Sequence, residues 1–321
     1  MIKILYSLFI VFSGLTTGYL LQFSSLFPYG SINNGKVRKI LQRLVIIFLN
    51  PVAFIGSIWI LDLRKHQLLF MPLSGLLALT SGGIFALITA NYMKMSRKES
   101  GAFVACGSFT NIGNIGALVC YSFLGEKGFA LVPFYKLFED LFYYLIGFPF
   151  LRTFGIRKDN NHNYRKLGVK FDPMLSAVII SILTGFILNL SGIKRPDFFK
   201  PLNAVIIPLS SFTMLLTIGM ALKFGKMREL AFKASAVLPV KYLAVPFITF
   251  LFAKYTGLGE IDSGLPLKVV LILSSMPVAI LAMIPCTLYD LDLDLANTCW
   301  FFSMLLMVLT VPVLKIFITL I

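Results

Sequence analysis

Run length is what most limits how this chain can fold. Apolar residues arrive in stretches of about twenty, and a helix of that length crosses a hydrocarbon core ~30 Å thick. The first, "IKILYSLFIVFSGLTTGYLL", fills residues 2–21; others follow at 40–61, 67–91, 101–124, 128–151, 173–192, 201–222, 234–254, 267–289 and 296–320. Inside a bilayer every backbone N–H and C=O needs an internal partner, which leaves helices or closed barrels. Barrel strands alternate apolar and polar residues over about ten positions, and that alternation is missing here. The expected fold is therefore an all-α polytopic membrane protein with ten transmembrane helices. Composition agrees: of 321 residues 58% are hydrophobic and 13% charged, with mean hydropathy +0.86. A soluble domain carries about twice that share of charge.

The formal charge of +15 does not call for a nucleic-acid partner, because basic residues between spans orient a membrane protein. Cys106, Cys120, Cys286 and Cys299 lie in or beside apolar runs without a CxxC pair and read as small packing residues. His66 and His162 both fall in polar loops, so histidine-based metal or hydrolase chemistry has no ligands within a span. No cofactor or metal is expected. HExxH, GxSxG and P-loop motifs are absent from the sequence, which argues against an enzyme and against an ATP-driven pump. The N-terminal run has a lysine and an apolar core, as signal peptides do, yet it is about twenty residues long and no A-x-A pattern follows. It counts as the first span.

Most connections are short. The most polar one, residues 152–172, divides the runs into two sets of five: residues 1–155, a linker at 156–172, and residues 173–321. Loops after odd-numbered runs hold Lys36, Arg38, Lys39, Arg43, Lys94, Arg97 and Lys98. The central linker and the loop after the seventh run add Arg152, Arg157, Lys158, Arg165, Lys166, Lys170, Lys223, Lys226, Arg228 and Lys233. Together these are the larger share of the 29 lysines and arginines. Positive charge marks the cytoplasmic side, which puts the linker in the cytoplasm and both termini outside a prokaryotic plasma membrane. Because five is odd, two such halves run in opposite senses, the arrangement of an inverted repeat.

Two runs are spoiled, each the fourth of its half. Residues 107–119 read "GSFTNIGNIGALV". Gly113 and Gly116 each lower helix stability by roughly 1 kcal/mol relative to alanine, and the Asn111 and Asn114 amides compete for backbone partners. The ninth run reads "VVLILSSMPVAILAMIPC", with Ser274, Ser275 and Pro277 near its middle. Proline has no N–H, and its ring forces the preceding turn open. A freed backbone group in hydrocarbon costs several kcal/mol unless paired, so two breaks at one depth suit one cavity, the two helices crossing at the midplane. The N-terminal end of a half-helix carries roughly +0.5 charge with unpaired N–H groups, a place for an anion. Asn111, Gly113, Asn114, Gly116, Ser275 and Pro277 are the candidate substrate-binding residues. For the glycines alone, a close helix–helix contact is an equal reading.

The fifth run holds "VPFYKLFEDLFYYLIG". Lys136, Glu139 and Asp140 stand at i, i+3 and i+4, so the base reaches either acid on one helix face. Charges at this depth face a bundle interior or water and mark ion or proton pathways; a structural ion pair is the competing reading. Lys241, in "VLPVKYLAVP", lies about two turns from the cytoplasmic end of its run, and its ammonium is expected to snorkel to the interface. The 31 phenylalanines and 12 tyrosines need only packing and lipid contact.

The order "GSFTNIGNIGALVCYSFLGEKGFAL", "PLSSFTMLLTIGMAL", "VKYLAVP" and "SSMPVAILAMIPC…DLDLANTCWFFSMLLMVLTVPV" resembles the auxin efflux carrier family over nearly the whole chain. That family includes prokaryotic permeases for malate and similar organic anions. The resemblance implies a fold like that of bile acid/sodium symporters: two inverted five-helix repeats with the fourth and ninth helices broken and crossing. It also implies a scaffold of spans 1, 2, 6 and 7 that forms homodimers, and a mobile transport domain of spans 3–5 and 8–10. The family's asparagine–glycine crossover falls on Asn111, Gly113 and Gly116, and its ninth-span proline on Pro277. Relatives often carry a proline where this chain has Leu118, so its fourth-span break rests on glycine and asparagine alone.

The expected function is secondary transport of a small organic anion such as a carboxylate by alternating access, with lipid as surroundings and proton or sodium coupling left open. A passive channel or facilitator is the nearest alternative, and a membrane-embedded enzyme or sensor a more distant one. Topology is directly checkable: cysteines introduced at Asn160 and Lys194 are expected to label from opposite faces of the membrane. Labelling of both from one face contradicts the ten-span reading.

Overall fold

Backbone groups that cannot reach water close on themselves, and the described residues form helices and turns with no strand beyond one isolated bridge. The computed structural model describes residues 2–24, 32–61, 65–155, 173–222 and 227–321; the polar linker at 156–172, with its basic residues, lies outside them. In chain order the helices are α1 (Ile2–Leu21), α2 (Asn33–Ile58), α3 (Phe70–Tyr92), α4 (Arg97–Ser108), α5 (Ile112–Ala130) and α6 (Val132–Arg152), then α7 (Pro173–Leu190) and α8 (Phe199–Gly219). They continue as α9 (Met227–Ser235), α10 (Val237–Tyr255), α11 (Leu265–Ser274), α12 (Met283–Leu288) and α13 (Leu293–Leu320).

Among the described residues, α2, α3, α8, α10 and α13 are each long and apolar enough to cross a membrane, and α5 with α6, bent by 75°, make a sixth if taken as one span. Two shorter apolar helices, Leu5–Leu21 and Ser176–Leu190, accompany them. Several such helices make this a multi-pass membrane protein. The fourth and ninth apolar runs are discontinuous, as α4 and α5 and as α11 and α12.

Three helices widen into π-turns in their interiors, at Val45–Leu49, Tyr143–Gly147 and Val240–Ala244. Each ends two residues before a proline: Pro51, Pro149 and Pro246. At these three places the missing N–H and the ring clash on the previous turn are accommodated by a local π-bulge, whereas Pro208 in α8 and Pro312 in α13 sit in regular helix.

The helices group into two compact units. One comprises residues 6–62 and 157–222 and holds α1, α2, α7 and α8. Its helix ends are closed by side-chain amides, since the last carbonyls of a helix lack intrahelical donors. Asn189, at the end of α7, donates to the carbonyls of Ile58, Trp59 and Leu61 at 3.1, 2.9 and 2.7 Å, closing α2. Gln22, just past α1, donates to Gly219 O at 2.6 Å and Leu222 O at 3.2 Å, closing α8.

The other unit comprises residues 63–156 and 223–321 with the first five of the chain, and holds α3–α6 and α9–α13. Here α3 and α4 touch backbone to backbone, because small residues let membrane helices approach. A Cβ on Gly82 would stand 2.3 Å from Gly107 O, and one on Gly107 2.3 Å from Ala86 Cβ. Ser96 caps α4 in a reciprocal box with Glu99. Burial opposes ionisation of the Glu99 carboxyl, but Lys233 Nζ at 2.5 Å and the Ser96 N–H outweigh it and hold its pKa below the usual 4.5. Lys98 pairs with Asp290 at 2.6 Å, and Arg97 Nε donates to Thr153 O at 3.1 Å. Segments following the third, fifth, seventh and ninth runs thus meet at one end of this unit. At the other helix ends Lys127 pairs with Asp262 at 3.2 Å.

Two glycines make a matched test of this packing. Gly82→Leu has no room against the Gly107 backbone, and we expect it to lower stability by roughly 1–3 kcal/mol or prevent folding. Gly35, in α2, has nothing within 4 Å of an added Cβ. Gly35→Ala is expected to leave the melting temperature unchanged or raise it, helix propensity contributing up to about 1 kcal/mol. A mild Gly82→Leu variant would contradict the close α3–α4 contact.

Candidate functional site at the paired helix breaks

α4 stops at Ser108, and the chain runs extended through Phe109 (φ −83°, ψ 126°) to Asn111 (φ −78°, ψ 69°). The sequence places this break at "NIGNIG"; the structure puts it just before, and winds Ile112–Gly116 into a π-turn that opens α5. Leu118 is buried in regular helix, so the break forms without a proline there. α11 ends before Ser275, and residues 276–279 are non-helical as far as Ala279 (φ −73°, ψ 143°).

The two breaks pair. Asn111 N–H donates to Pro277 O at 2.9 Å and Ala279 N–H to Phe109 O at 3.0 Å, on either side of an antiparallel bridge between Thr110 and Val278. The Val278 N–H donates to Ser303 Oγ of α13 at 3.1 Å. Each contact gives a partner to a backbone group that would cost several kcal/mol if left unpaired. Ile112, Ile115, Leu273, Met276 and Val278 are buried around the pairing.

Lys241 is where the sequence reading fails. Its side chain is not at an interface but 0% exposed, and Nζ donates to Gly107 O at 3.2 Å, Phe109 O at 3.1 Å and Thr110 Oγ1 at 2.5 Å. Depth along a run does not say which way a side chain faces: Lys241 lies within the Val240–Ala244 π-turn of α10, and its side chain reaches the end of α4. The ammonium thus sits at the C-terminal end of a half-helix, where the dipole favours a cation.

The charged cluster lies on the other side of the break. A turn at residues 136–138 interrupts α6 and brings Lys136 Nζ to 3.4 Å from Glu139 Oε2. Tyr143 donates its hydroxyl to Glu139 Oε1. Glu139 is buried, Lys136 is 33% exposed, and Asp140 is exposed without an ion pair among the described residues. A Cβ on Gly113 would stand 3.6 Å from Lys136 Nζ, with no other atom among its neighbours. The structure therefore brings the fifth-run base to the fourth-run break.

The two glycines separate here. Gly113 is exposed, whereas a Cβ on Gly116 would be 2.7 Å from Leu273 Cδ2 and 3.2 Å from Met276 Cγ. Gly116 therefore lets α5 approach the second break. Asn111 Oδ1 accepts from Ile115 N at 3.5 Å, a long contact that caps α5, and its NH2 group has no hydrogen-bond partner among the described residues. Asn114 is half-buried. Ser274 and Ser275 are buried, and both donate their hydroxyls back to Leu271 O, at 3.2 and 2.7 Å. Pro277 contributes its carbonyl to the pairing. A recess of about 110 Å³ beside Phe109, lined by residues such as Ile84, Val104, Phe142 and Ile146, is apolar and offers an anion no donor.

Sequence reasoning gave no role to Thr110, Tyr143 or Ser303, and placed Lys241 at the interface. Tyr143 stands at i+4 from Glu139, so the spacing rule that linked Lys136 to the acids reaches it too. Ser303 sits among apolar residues with nothing in the sequence to mark it.

The profile of a family described as membrane transport protein matches residues 4–315. A protein of Methanothermobacter thermautotrophicus described as an uncharacterized transporter is 24% identical over 278 residues, covering 85% of this chain and 86% of that protein. One of Methanocaldococcus jannaschii with the same description is 27% identical over 270 residues, covering 80% and 82%. Matched from Ile4 to Lys315, with transporters as relatives on both counts, the chain belongs to the membrane transport protein family, whose auxin efflux carrier-like members its motifs resemble.

Proposed function

We propose that the protein is a secondary transporter that moves a small organic anion, such as a carboxylate, across the plasma membrane by alternating access. The observation that carries this reading is the backbone pairing of two helix breaks with a lysine beside the opening. Lys136 Nζ stands next to exposed Gly113 at the start of α5. A half-helix N-terminus, the Asn111 and Asn114 amides and an ammonium are the donors a carboxylate needs. Gly116, Ser275 and Pro277 enter the site through the backbone: they shape the crossing, and the asparagines and Lys136 face the ligand.

Ten spans in two inverted repeats, residues 1–155 and 173–321, belong to the same proposal. The amide after α1 closes α8 while the amide ending α7 closes α2, the reciprocity expected of halves related by a two-fold axis. The two compact units support a division into scaffold spans 1, 2, 6 and 7 and transport spans 3–5 and 8–10. The meeting of Arg97, Lys98, Glu99 and Lys233 with their partners supports one shared side for the loops that follow odd-numbered spans, which we take as cytoplasmic, with both termini outside. A homodimer through the scaffold rests on the family resemblance.

The test starts with uptake of mono- and dicarboxylates into proteoliposomes, with pH and sodium varied separately. For the carried anion, Asn111→Ala and Asn114→Ala are each expected to weaken affinity about ten-fold to more than a hundred-fold, the ~1.5–3 kcal/mol of a hydrogen bond to a charged group. Both variants should remain folded, with at most the modest loss of a helix cap at Asn111. Gly113→Leu should fold but cover Lys136 and lose uptake, whereas Gly116→Leu should damage folding by overpacking against Leu273. If both asparagine variants bind substrate like the parent, the site lies elsewhere.

Coupling has its own readout. Glu139 sits between Lys136 and Tyr143 at the opening, the setting of an intramembrane proton carrier. Glu139→Gln is expected to flatten the pH dependence of uptake while the protein stays folded, and Asp140→Asn to do so less, since Asp140 holds no ion pair. Unchanged pH profiles in both variants would assign the cluster a structural role.

A further inference from the structure

Lys241 brings an amine that the proposed anion site does not use. It is fully buried, and among the described residues no carboxylate lies within ion-pair distance of it. Two ionisable groups on neighbouring segments, the Cys106 thiol and the Glu139 carboxyl, both have other partners. Cys106 is turned toward Ala296 O at 3.7 Å, and Glu139 is already held by Lys136 and Tyr143. What surrounds the ammonium is oxygen: the Gly107 and Phe109 carbonyls and the Thr110 hydroxyl. Three N–H donors meet three acceptors, so every donor is used. The C-terminal end of α4 adds roughly half a negative charge.

Carbonyls freed at a helix break, the C-terminal end of a half-helix and a hydroxyl are also the oxygen ligands that a hard monovalent cation takes in discontinuous membrane helices. We propose that the Lys241 ammonium is a tethered cation occupying such a site, so that the crossing is held together without a bound sodium ion. Among the described residues only one of the two breaks is served this way. The corresponding span of the first half, α3, contains no lysine or arginine. Lys241 acts through Phe109 and Thr110, the residues flanking and forming the bridge to Val278, and is therefore a positioning residue for the site beside Asn111. This assignment deepens the transport reading by naming what replaces sodium in it.

The experiment reads thermal stability of purified protein without substrate, so its outcome does not depend on whether the anion reading is right. The parent is expected to melt at the same temperature in sodium chloride and in choline chloride of equal ionic strength. Lys241→Ala, which empties the cage, should melt lower by roughly 5 °C or more. Methylammonium present from solubilisation onward should recover at least half of that loss, because it restores N–H donors. Tetramethylammonium, which has none, should not. Lys241→Met, whose side chain fills the space, should show the loss and no recovery with either cation. Sodium-specific stabilisation of the parent overturns the proposal, as does a Lys241→Ala variant that ignores methylammonium or responds equally to both amines. If neither variant folds, the parent still decides: a sodium-indifferent melt upholds the tethered cation and a sodium-dependent one rejects it.

Discussion

A polar backbone group in hydrocarbon must find a partner inside the protein, and the broken-helix unit is organised by that requirement. Interrupting α4–α5 and α11–α12 releases N–H and C=O groups at one place. Neither break can satisfy itself. They satisfy each other, through Asn111 N–H to Pro277 O and Ala279 N–H to Phe109 O, and what remains goes to side chains brought in for the purpose, Ser303 for Val278 N–H and Lys241 for the Gly107 and Phe109 carbonyls. With several kcal/mol at stake for each group, the crossing is held by many small obligations rather than by one strong bond. The close α3–α4 contact at Gly82 and Gly107 and the capped start of α4 fix the helix that leads into it.

Two lysines divide the electrostatics of this crossing. Lys241 faces the C-terminal end of α4, where partial negative charge accumulates, and spends all three donors there. Lys136 approaches the N-terminal end of α5, a region already positive, and is only partly occupied by Glu139 at 3.4 Å. The first arrangement is satisfied as it stands. The second is not, since an ammonium beside a helix N-terminus raises the positive potential that the dipole creates. On the proposed reading an anion entering next to Gly113 would relieve that excess, which is why the proposal puts the ligand side of the crossing there and not at Lys241.

How much of this the sequence reveals depends on whether a residue acts locally. Runs of about twenty apolar residues announce the helices without help, because span length is set by the bilayer. Pro277 announces a break because proline disrupts any helix it enters. Composition points a few residues past the first break for the opposite reason. Glycine and asparagine propensities point to residues 111–116, but the residues that must be extended are those opposite 277–279, and that is decided by the partner segment. Gly113 and Gly116 look alike in sequence, and only their neighbours, Lys136 for one and Leu273 with Met276 for the other, give them different roles. Lys241 escapes a reading by depth because depth alone does not say which way a side chain faces; a lysine pointing inward has nowhere to snorkel. Ser303, a hydroxyl in an apolar helix, carries no local mark at all.

The central claim is that the anion sits at the paired breaks, against the start of α5. The most direct measurement is an anomalous-difference map from crystals grown with a brominated form of the carboxylate that the protein carries. The account predicts a bromine peak within a few ångströms of Gly113, Asn114 and Lys136 (roughly the reach of a small carboxylate from its hydrogen bonds). A single peak within the unit of α1, α2, α7 and α8, with none beside Gly113, would contradict it.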